Sequence, residues 1–187
     1  MLRPLGPEDY AGLRARETSA ELGVRWRGRG NVVSPEQWAQ SIWQSVFAQF
    51  VIVGVHDRKT LGLVMAYRPS FQDGHAWFGV EKFDAGQRSP LVVLGASLFI
   101  EYVFKCWNLT KLYIEVAEYN ASQFQSGMGD LFELEGRMRD HFWYDGERWD
   151  QLILALYRER WEKRKERILS LEMASPQRYV RIGVPAT

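Results

Sequence analysis

Two hydrophobic periodicities divide the chain into helices and strands. Apolar residues recur every three to four positions in some stretches, which predicts helices, and they alternate or run together in others, which predicts strands. Predicted strands cover 2–5, 50–56, 61–69, 75–83, 111–117 and the two arms of a hairpin within 135–157 around Asp145-Gly146. Predicted helices cover 7–22, 34–49, 90–107, a short stretch from Asn120, and 158–171.

The second helix carries a clear start signal. Ser34 stands at the N-cap position, Pro35 at the first helical position, and Gln37 completes an S-x-x-Q capping box. The spacing predicts that this helix runs on to residue 49 and presents one apolar face, formed by Trp38, Ile42, Val46 and Phe47.

The middle of the chain predicts a parallel crossover. A strand over 75–83, a helix from Pro90 and a strand over 111–117 form a β-α-β unit, which is normally parallel and right-handed. The other strands are joined by short turns and are expected to be antiparallel. We therefore expect a mixed, mostly antiparallel sheet flanked by helices, in one domain over 1–173 with a C-terminal extension over 174–187.

Composition fits one globular domain and excludes several partners. The 187 residues are 46% hydrophobic with a formal net charge of +1, so no global charge attracts nucleic acid or an acidic membrane. The N-terminus lacks an apolar signal core. Cys106 is the only cysteine, which precludes an internal disulfide, and its apolar surroundings predict a buried thiol. A cytoplasmic protein that binds neither nucleic acid nor membrane is expected.

Two segments resemble a known family. In "LFELEGRMRDHFWYDGERWDQLILAL", the pairs Glu135-Gly136, Arg139-Asp140 and Asp145-Gly146 are similar to motifs of the GNAT N-acetyltransferases, particularly the branch that acetylates ribosomal proteins and other protein N-termini. "FIEYVFKCWNLTKLYIEVAEYN" resembles the central helix and strand of that family, ending at Asn120. The resemblance runs from Leu2 to about Trp161 and implies the α/β (α+β) GNAT fold.

The resemblance also implies a coenzyme A site, but the matching loop departs from the family pattern. Family members use [QR]-x-x-G-x-[GA] at the start of the central helix, and the corresponding residues here are Gln87, Arg88, Ser89, Pro90, Leu91 and Val92. Both glycines are replaced, and proline has no N–H for a phosphate. Either Ser89 and Pro90 simply start a core helix, or Arg88 replaces the lost contact. Weak binding of coenzyme A is expected.

The family's catalytic positions are only partly filled. A tyrosine seven residues after Asn120 would protonate the departing thiolate, but that position is Gly127. The neighbouring Ser126 is either a substitute that hydrogen-bonds the sulfur or a solvated loop residue. Glu81 is the candidate general base, and its alternative is an exposed charge at the strand end. The backbone from Phe78 through Gly79 to Val80, together with Asn120, is expected to orient the acyl arm.

Aromatic and basic residues mark an acceptor side. The tryptophans at 26, 38, 43 and 77 either line a groove for a hydrophobic or planar molecule or pack in the core. Arg25, Arg27 and Arg29, in "RWRGRGN", suit an anionic acceptor or a carrier protein, or are solvated. The three histidines and Cys106 show no metal-ligand spacing, so no metal is expected.

These observations predict an N-acyltransferase. The expected donor is acetyl-CoA or another acyl-pantetheine, including one held by an acyl carrier protein, and the expected acceptor is a small-molecule or peptide amine. A GNAT-fold binding protein that has lost acetyl-CoA chemistry is the alternative, and a homodimer stays open.

Overall fold

A single sheet organises the described part of the chain. The computed structural model describes residues 1–20, 23–24, 26–83 and 90–173, and these form a seven-stranded sheet in the order β1-β2-β3-β4-β5-β7-β6. The strands are β1 Leu2–Pro4, β2 Val46–Val53, β3 Thr60–Ser70, β4 His75–Lys82, β5 Lys111–Ala117, β6 Phe132–Tyr144 and β7 Glu147–Tyr157. The α-helices are α1 Tyr10–Glu17, α2 Pro35–Ser41, α3 Pro90–Cys106 and α4 Arg158–Met173.

The predicted crossover is confirmed. Strands β4 and β5 are parallel neighbours joined by α3, and they pair over three positions, from His75 with Lys111 to Trp77 with Tyr113. Every other strand pair in the described sheet is antiparallel. The mixed, mostly antiparallel sheet flanked by helices is therefore as predicted.

Helices cover both faces of the sheet, and each face buries its own core. On one face α3 and α4 pack over a large cluster that includes Phe99, Phe104 and Trp161. The indole of Trp161 donates a 2.7 Å hydrogen bond to the buried Glu101 carboxylate, which joins the two helices. On the other face a second cluster, with Leu13 and Trp38, lies beneath α1 and α2. None of the described helices has the length and apolar character that crossing a bilayer requires.

The boundary between α2 and β2 differs from the prediction. The capping box is present, with Ser34 Oγ accepting a 3.2 Å hydrogen bond from the backbone N–H of Gln37, but α2 ends at Ser41. Residues Val46 and Phe47 belong to β2, so the predicted four-residue apolar face was wrong beyond Ile42. The sequence "VFAQFVIV" is rich in β-branched and aromatic residues, which favour a strand, and pairing with β3 and β1 outweighs the helical spacing.

The prediction for Cys106 was also wrong. This last residue of α3 is exposed, because the buried stripe of the helix passes through Val103 and Phe104 and leaves position 106 outside it. The first helix is shorter than predicted, since a 3₁₀ turn over Pro7–Asp9 precedes α1 and the α-helix ends at Glu17. The extension over 174–187 lies outside the described residues.

The late hairpin matches its prediction. Strands β6 and β7 are joined by Asp145 and Gly146, both with positive φ angles of 54° and 79°, as a tight two-residue hairpin turn requires. Register shifts between Leu134 and Gly136, and between Met138 and Phe142, bend β6 at the sheet edge.

Gly95 sets how closely α3 approaches the sheet, and its replacement is expected to be costly. A Cβ atom at this position would lie 2.7 to 2.8 Å from the Ile52 side chain on β2. We therefore expect Gly95→Ala to lower the free energy of unfolding by about 1–3 kcal/mol, measured by urea denaturation. The matched control is Gly12→Ala in α1, where no atom lies within 4 Å and alanine should be neutral or stabilising. Equal stability of the two variants would contradict this packing.

Candidate functional site

Strands β4 and β5 separate beyond their short parallel ladder. Their pairing ends at Trp77 and Tyr113, although β4 continues to Lys82 and β5 to Ala117. Beyond this point the β5 side of β4 has no partner strand in the described sheet, while β3 still pairs with its other side. The backbone of residues 78–80 therefore borders a wedge-shaped gap between the two strands, and its N–H and C=O groups on that side are available to a ligand.

The three residues predicted to orient an acyl arm alternate between the two faces of β4. Phe78 and Val80 point towards the α3 side, where Phe78 is buried against Phe99 with ring centroids 6.1 Å apart. Gly79 faces the opposite side. A Cβ atom there would lie 3.1 Å from Met65 Cε and 3.6 Å from the indole of Trp26. These residues consequently share a backbone edge rather than a common side-chain surface.

Glu81 is buried, so the alternative of an exposed charge at the strand end does not hold. Its side chain lies on the same face as Gly79, and the residue is 5% exposed. Neither carboxylate oxygen has a hydrogen-bond partner in the part of the chain that the structure describes. Burial, and secondarily the charge of Glu17, raises the pKa of Glu81 to about 8. The carboxyl is therefore mostly protonated at pH 7 and becomes a base as the pH rises towards 8.

Glu17 holds together the polar groups beside Glu81. This buried carboxylate accepts hydrogen bonds from the indoles of Trp26 and Trp38 at 2.8 and 2.7 Å, and it pairs with Arg27 at 2.7 Å. Arg27 also donates to the Gln49 side chain. The sequence analysis missed Glu17. The signal was its place four residues after Leu13, which puts both on the buried face of α1.

An ion pair lies on the opposite arm of the gap. Glu115 of β5 pairs with Arg68 of β3 at 2.7 Å, and the Arg68 guanidinium lies 4.8 Å from the ring centre of Trp77. Trp77 in turn packs on Tyr113, with centroids 4.9 Å apart. The sequence analysis missed Glu115 and Arg68. Alternation along β5 puts Glu115 on the same face as Tyr113, and that spacing was the available signal.

The start of α3 explains how proline fits this position. Pro90 is the first helical residue, where an N–H would have no partner within the helix. Val92, which replaces the second glycine of the family pattern, is 6% exposed and its side chain packs in the core. Leu91 is half-buried. The predicted loop residues Gln87, Arg88 and Ser89 lie outside the described residues.

The segment after β5 holds Asn120, Ser126 and Gly127, the residue at the family's tyrosine position. Asn120 lies half-buried in a 3₁₀ stretch over Glu118–Gln123. Ser126 belongs to a 3₁₀ turn over Gln125–Gly127, and the position of its side chain is not among the described features. A Cβ atom at Gly127 would lie 2.8 Å from the ring of Phe132, so that ring occupies the space beside position 127.

The four tryptophans divide between core and site. Trp38 is buried in the core, and Trp43 is exposed, with its indole donating to the Tyr10 hydroxyl. Trp26 and Trp77 lie on the face of the sheet that carries Gly79 and Glu81. The predicted groove is therefore supported only for these two. Within the described ranges, no three His, Cys, Asp or Glu side chains come close enough together to hold a metal ion.

Solved structures share this architecture. The spermidine N-acetyltransferase of Vibrio cholerae, in complex with CoA and spermine, superposes with a TM-score of 0.70 over 87% of this chain and 97% of its own, at 18% identity. A GCN5-related N-acetyltransferase from Brucella melitensis gives 0.70 over 91% and 81%, at 17% identity. The chain has the GNAT fold. No protein-family model matches the sequence, and no curated protein matches it either.

Within this GNAT fold, the late motif residues stabilise the hairpin. Glu135 pairs with Lys111 at 3.0 Å, and the backbone N–H of Asp140 donates to the Asp150 carboxylate at 2.9 Å. These contacts connect β5, β6 and β7 at the edge of the sheet. The motif thus has a structural explanation that is independent of any particular acceptor.

Proposed function

We propose that the chain is an N-acyltransferase that moves an acyl group from a pantetheine thioester to an amine. One observation carries this proposal: the open edge of β4 next to a buried, unpartnered carboxyl on the same strand. An open strand edge suits an extended ligand that has amide groups of its own, as pantetheine has. A carboxyl that is buried without partners is costly for stability, and such groups are concentrated at functional sites.

The fold and the gap support a pantetheine-bearing donor. The Vibrio cholerae structure of the same fold contains CoA, and the residues here that would hold the arm are the backbone of 78–80 and the first turn of α3. Acetyl-CoA is the simplest such donor. Pro90 favours a donor whose pantetheine is attached to an acyl carrier protein. Pantetheine attached in this way carries a single phosphodiester, which needs fewer N–H groups than the phosphates of free coenzyme A.

The chemistry requires a base and a polarising group. An acyl thioester supplies the carbonyl carbon that the amine nitrogen attacks, and a C–N bond replaces the C–S bond while sulfur leaves as thiolate. Glu81 accepts the proton that the amine loses, and a backbone N–H of β4 polarises the carbonyl. Because the Glu81 side chain is buried, the proton reaches it through water.

The missing acid at Gly127 fits the same scheme. The pKa of Glu81, at about 8, is close to that of an ordinary thiol. The proton that Glu81 has accepted can therefore pass on through water to the departing sulfur at little free-energy cost. We accordingly propose no separate tyrosine acid, and Ser126 remains the nearby hydroxyl that can assist.

Calorimetric titration with coenzyme A tests the donor. Wild-type protein is expected to bind free coenzyme A with a dissociation constant near or above 1 mM. Pro90→Ala restores one N–H in the first turn of α3 and should tighten binding roughly tenfold, the effect of one hydrogen bond to a charged group. The control is Val93→Ala, an exposed change in the same turn. Micromolar binding by wild type, or no effect of Pro90→Ala, would contradict this assignment of the loop.

A non-catalytic binding protein is the second candidate, and the pair Pro90 and Gly127 favours it. Pro90 lacks the backbone N–H that would contact a phosphate of coenzyme A, and Gly127 lacks the tyrosine hydroxyl that would protonate its thiolate. The test is a single-turnover assay at several millimolar acetyl-CoA, and in parallel with an acetylated carrier protein, using a mixture of amines. Acetyl transfer to any amine supports the enzyme. Its absence with both donors, despite measurable binding, supports the binding protein.

The remaining assignments are proposals of the same kind. We infer that the acceptor is a small-molecule or peptide amine, and the motif likeness to enzymes that acetylate protein N-termini keeps a terminal α-amine among the candidates. We also infer a cytoplasmic location, because a chain with a single cysteine cannot form an internal disulfide.

A further inference from the structure

The loop between α1 and α2 crosses the face of the sheet in front of the gap. Trp26 lies against Gly79 on β4, whereas Arg29, three residues later, lies over Phe142 on β6. The Arg29 guanidinium is 3.6 Å from the centre of that ring. Arg29 has a positive φ of 47° and precedes Gly30 with φ of 83°, a sharp turn that directs the side chain towards the hairpin. Residues 26–29 therefore extend from β4 to the β6–β7 hairpin.

Arg29 differs from the other arginines of this face because its charge is not neutralised. Arg27 is held by Glu17, and Arg68 by Glu115. The guanidinium of Arg29 has no hydrogen bond or ion pair with a residue in the described ranges, and it lies against the Phe142 ring. The residue is exposed, yet desolvation by the surrounding protein lowers the pKa of Arg29. A cation in such a position is available to an anionic ligand.

The nearby carboxylates are paired with other arginines. Tyr67, Glu115 and Tyr119 are the described titratable groups whose charges act on Arg29. The one carboxylate among them, Glu115, already pairs with Arg68. Two further carboxylates on neighbouring segments, Glu118 and Asp150, both pair with Arg137. These groups sum to no net charge, since Arg137 is shared by two carboxylates, and Arg29 is the one cation among them without a carboxylate partner in the described ranges.

We propose that Arg29 binds an anionic group of the acceptor, so that the substrate is an amine that also carries a carboxylate or phosphate, rather than a polyamine. This inference rests on the proposed acyl transfer and specifies the chemical class of the acceptor. The half-buried Tyr67 lies near enough for its charge to act on Arg29, and its ring suits an acceptor with an apolar or planar body. The Vibrio cholerae enzyme was crystallised with spermine, a polycation, and an unpaired arginine in front of the gap disfavours such a ligand.

The test compares amines that differ only in the anionic group. Phenylalanine is compared with phenethylamine, phosphoethanolamine with ethanolamine, and spermidine serves as the polycation, each at saturating acyl donor. We expect kcat/KM to be at least tenfold higher for one of the anionic amines than for its uncharged counterpart, and spermidine to be the poorest acceptor. The first pair reports a carboxylate site and the second a phosphate site.

Two variants connect the preference to Arg29. Arg29→Gln should abolish the preference for the anionic member, measured as the ratio of the two kcat/KM values within each pair. The matched control, Arg139→Gln, removes an exposed arginine of β6 that makes no ion pair with the described residues, and it should keep the wild-type preference. Equal turnover of both members of each pair, a preference for spermidine, or a preference that survives Arg29→Gln would each overturn the proposal.

A binding measurement separates this proposal from the acyl-transfer proposal. N-acetylphenylalanine and N-phenethylacetamide carry the same acyl group and differ in one carboxylate, so calorimetry with these two compounds requires no chemistry. Tighter binding of the acid, lost in Arg29→Gln, supports an anion site even if no amine is acylated. Equal or undetectable binding of both, in a protein that does acylate amines, refutes the anion site and leaves the enzyme assignment standing.

Discussion

Glu81→Gln is expected to slow acyl transfer by roughly ten- to a thousand-fold, the range for loss of one general base. Glutamine has nearly the same shape as glutamate, but it cannot accept a proton from the attacking amine. Because the wild-type pKa is about 8, the rate should rise with pH up to about 8 as Glu81 ionises. The variant should lack that rise, apart from any change due to ionisation of the amine itself.

The measurement is kcat/KM from pH 6 to 10 for wild type, Glu81→Gln and Glu133→Gln. Glu133 is an exposed carboxylate on β6 that pairs with Arg160, and its replacement should leave both rate and profile unchanged. An amine whose pKa lies well outside the range keeps substrate ionisation from obscuring the profile. A Glu81→Gln variant with wild-type turnover would remove Glu81 from the mechanism, and Glu115, on the other arm of the gap, would be tested next.

The order of elements was predictable because each signal was local. Asp145-Gly146 has the residues that a tight hairpin needs, and the β-α-β spacing around Pro90 permits little besides a parallel crossover. The α2–β2 boundary was missed for a physical reason. Trp38, Ile42 and Val46 follow a helical spacing by coincidence, and pairing with β3, which local sequence does not encode, makes residues 46–49 part of a strand.

The site was less predictable because its defining contacts are distant in sequence. Glu81 was found from its place after "FGV", but its burial depends on Glu17, Trp26 and Arg27 arriving from the first helix and the loop after it. The pair Arg68–Glu115 joins residues 47 positions apart. The sequence suggested a cluster of loop arginines, and only the structure separates Arg27, which pairs with Glu17, from Arg29, which has no ion-pair partner among the described residues.

Glu81→Gln is also expected to stabilise the folded chain, in contrast to its effect on catalysis. In the unfolded chain this carboxyl ionises near its usual pKa of 4.5, whereas burial raises the pKa to about 8 in the folded chain. Between these values the folded chain retains a proton that the unfolded chain has lost. Raising the pH through this window therefore lowers the free energy of unfolding of wild type, and the loss is complete above about pH 8.

The size of this effect follows from the separation of the two pKa values. Glutamine carries no such penalty, so the variant should be more stable by roughly 3 kcal/mol near pH 7 and by about 5 kcal/mol above pH 8. Below pH 4.5 both proteins hold a neutral side chain at position 81, and the difference should vanish. Chemical denaturation at pH 5, 7 and 9 measures it, with Glu133→Gln as the surface control that should change stability by less than about 1 kcal/mol at any pH.

A stability gain that grows with pH, together with a loss of turnover, would identify Glu81 as a carboxyl whose burial costs stability and serves catalysis. Equal stability of variant and wild type at pH 9 would mean that Glu81 ionises as easily in the folded chain as in the unfolded one. In that case its pKa would be close to 4.5, and the proton transfer to sulfur proposed above would lose its basis.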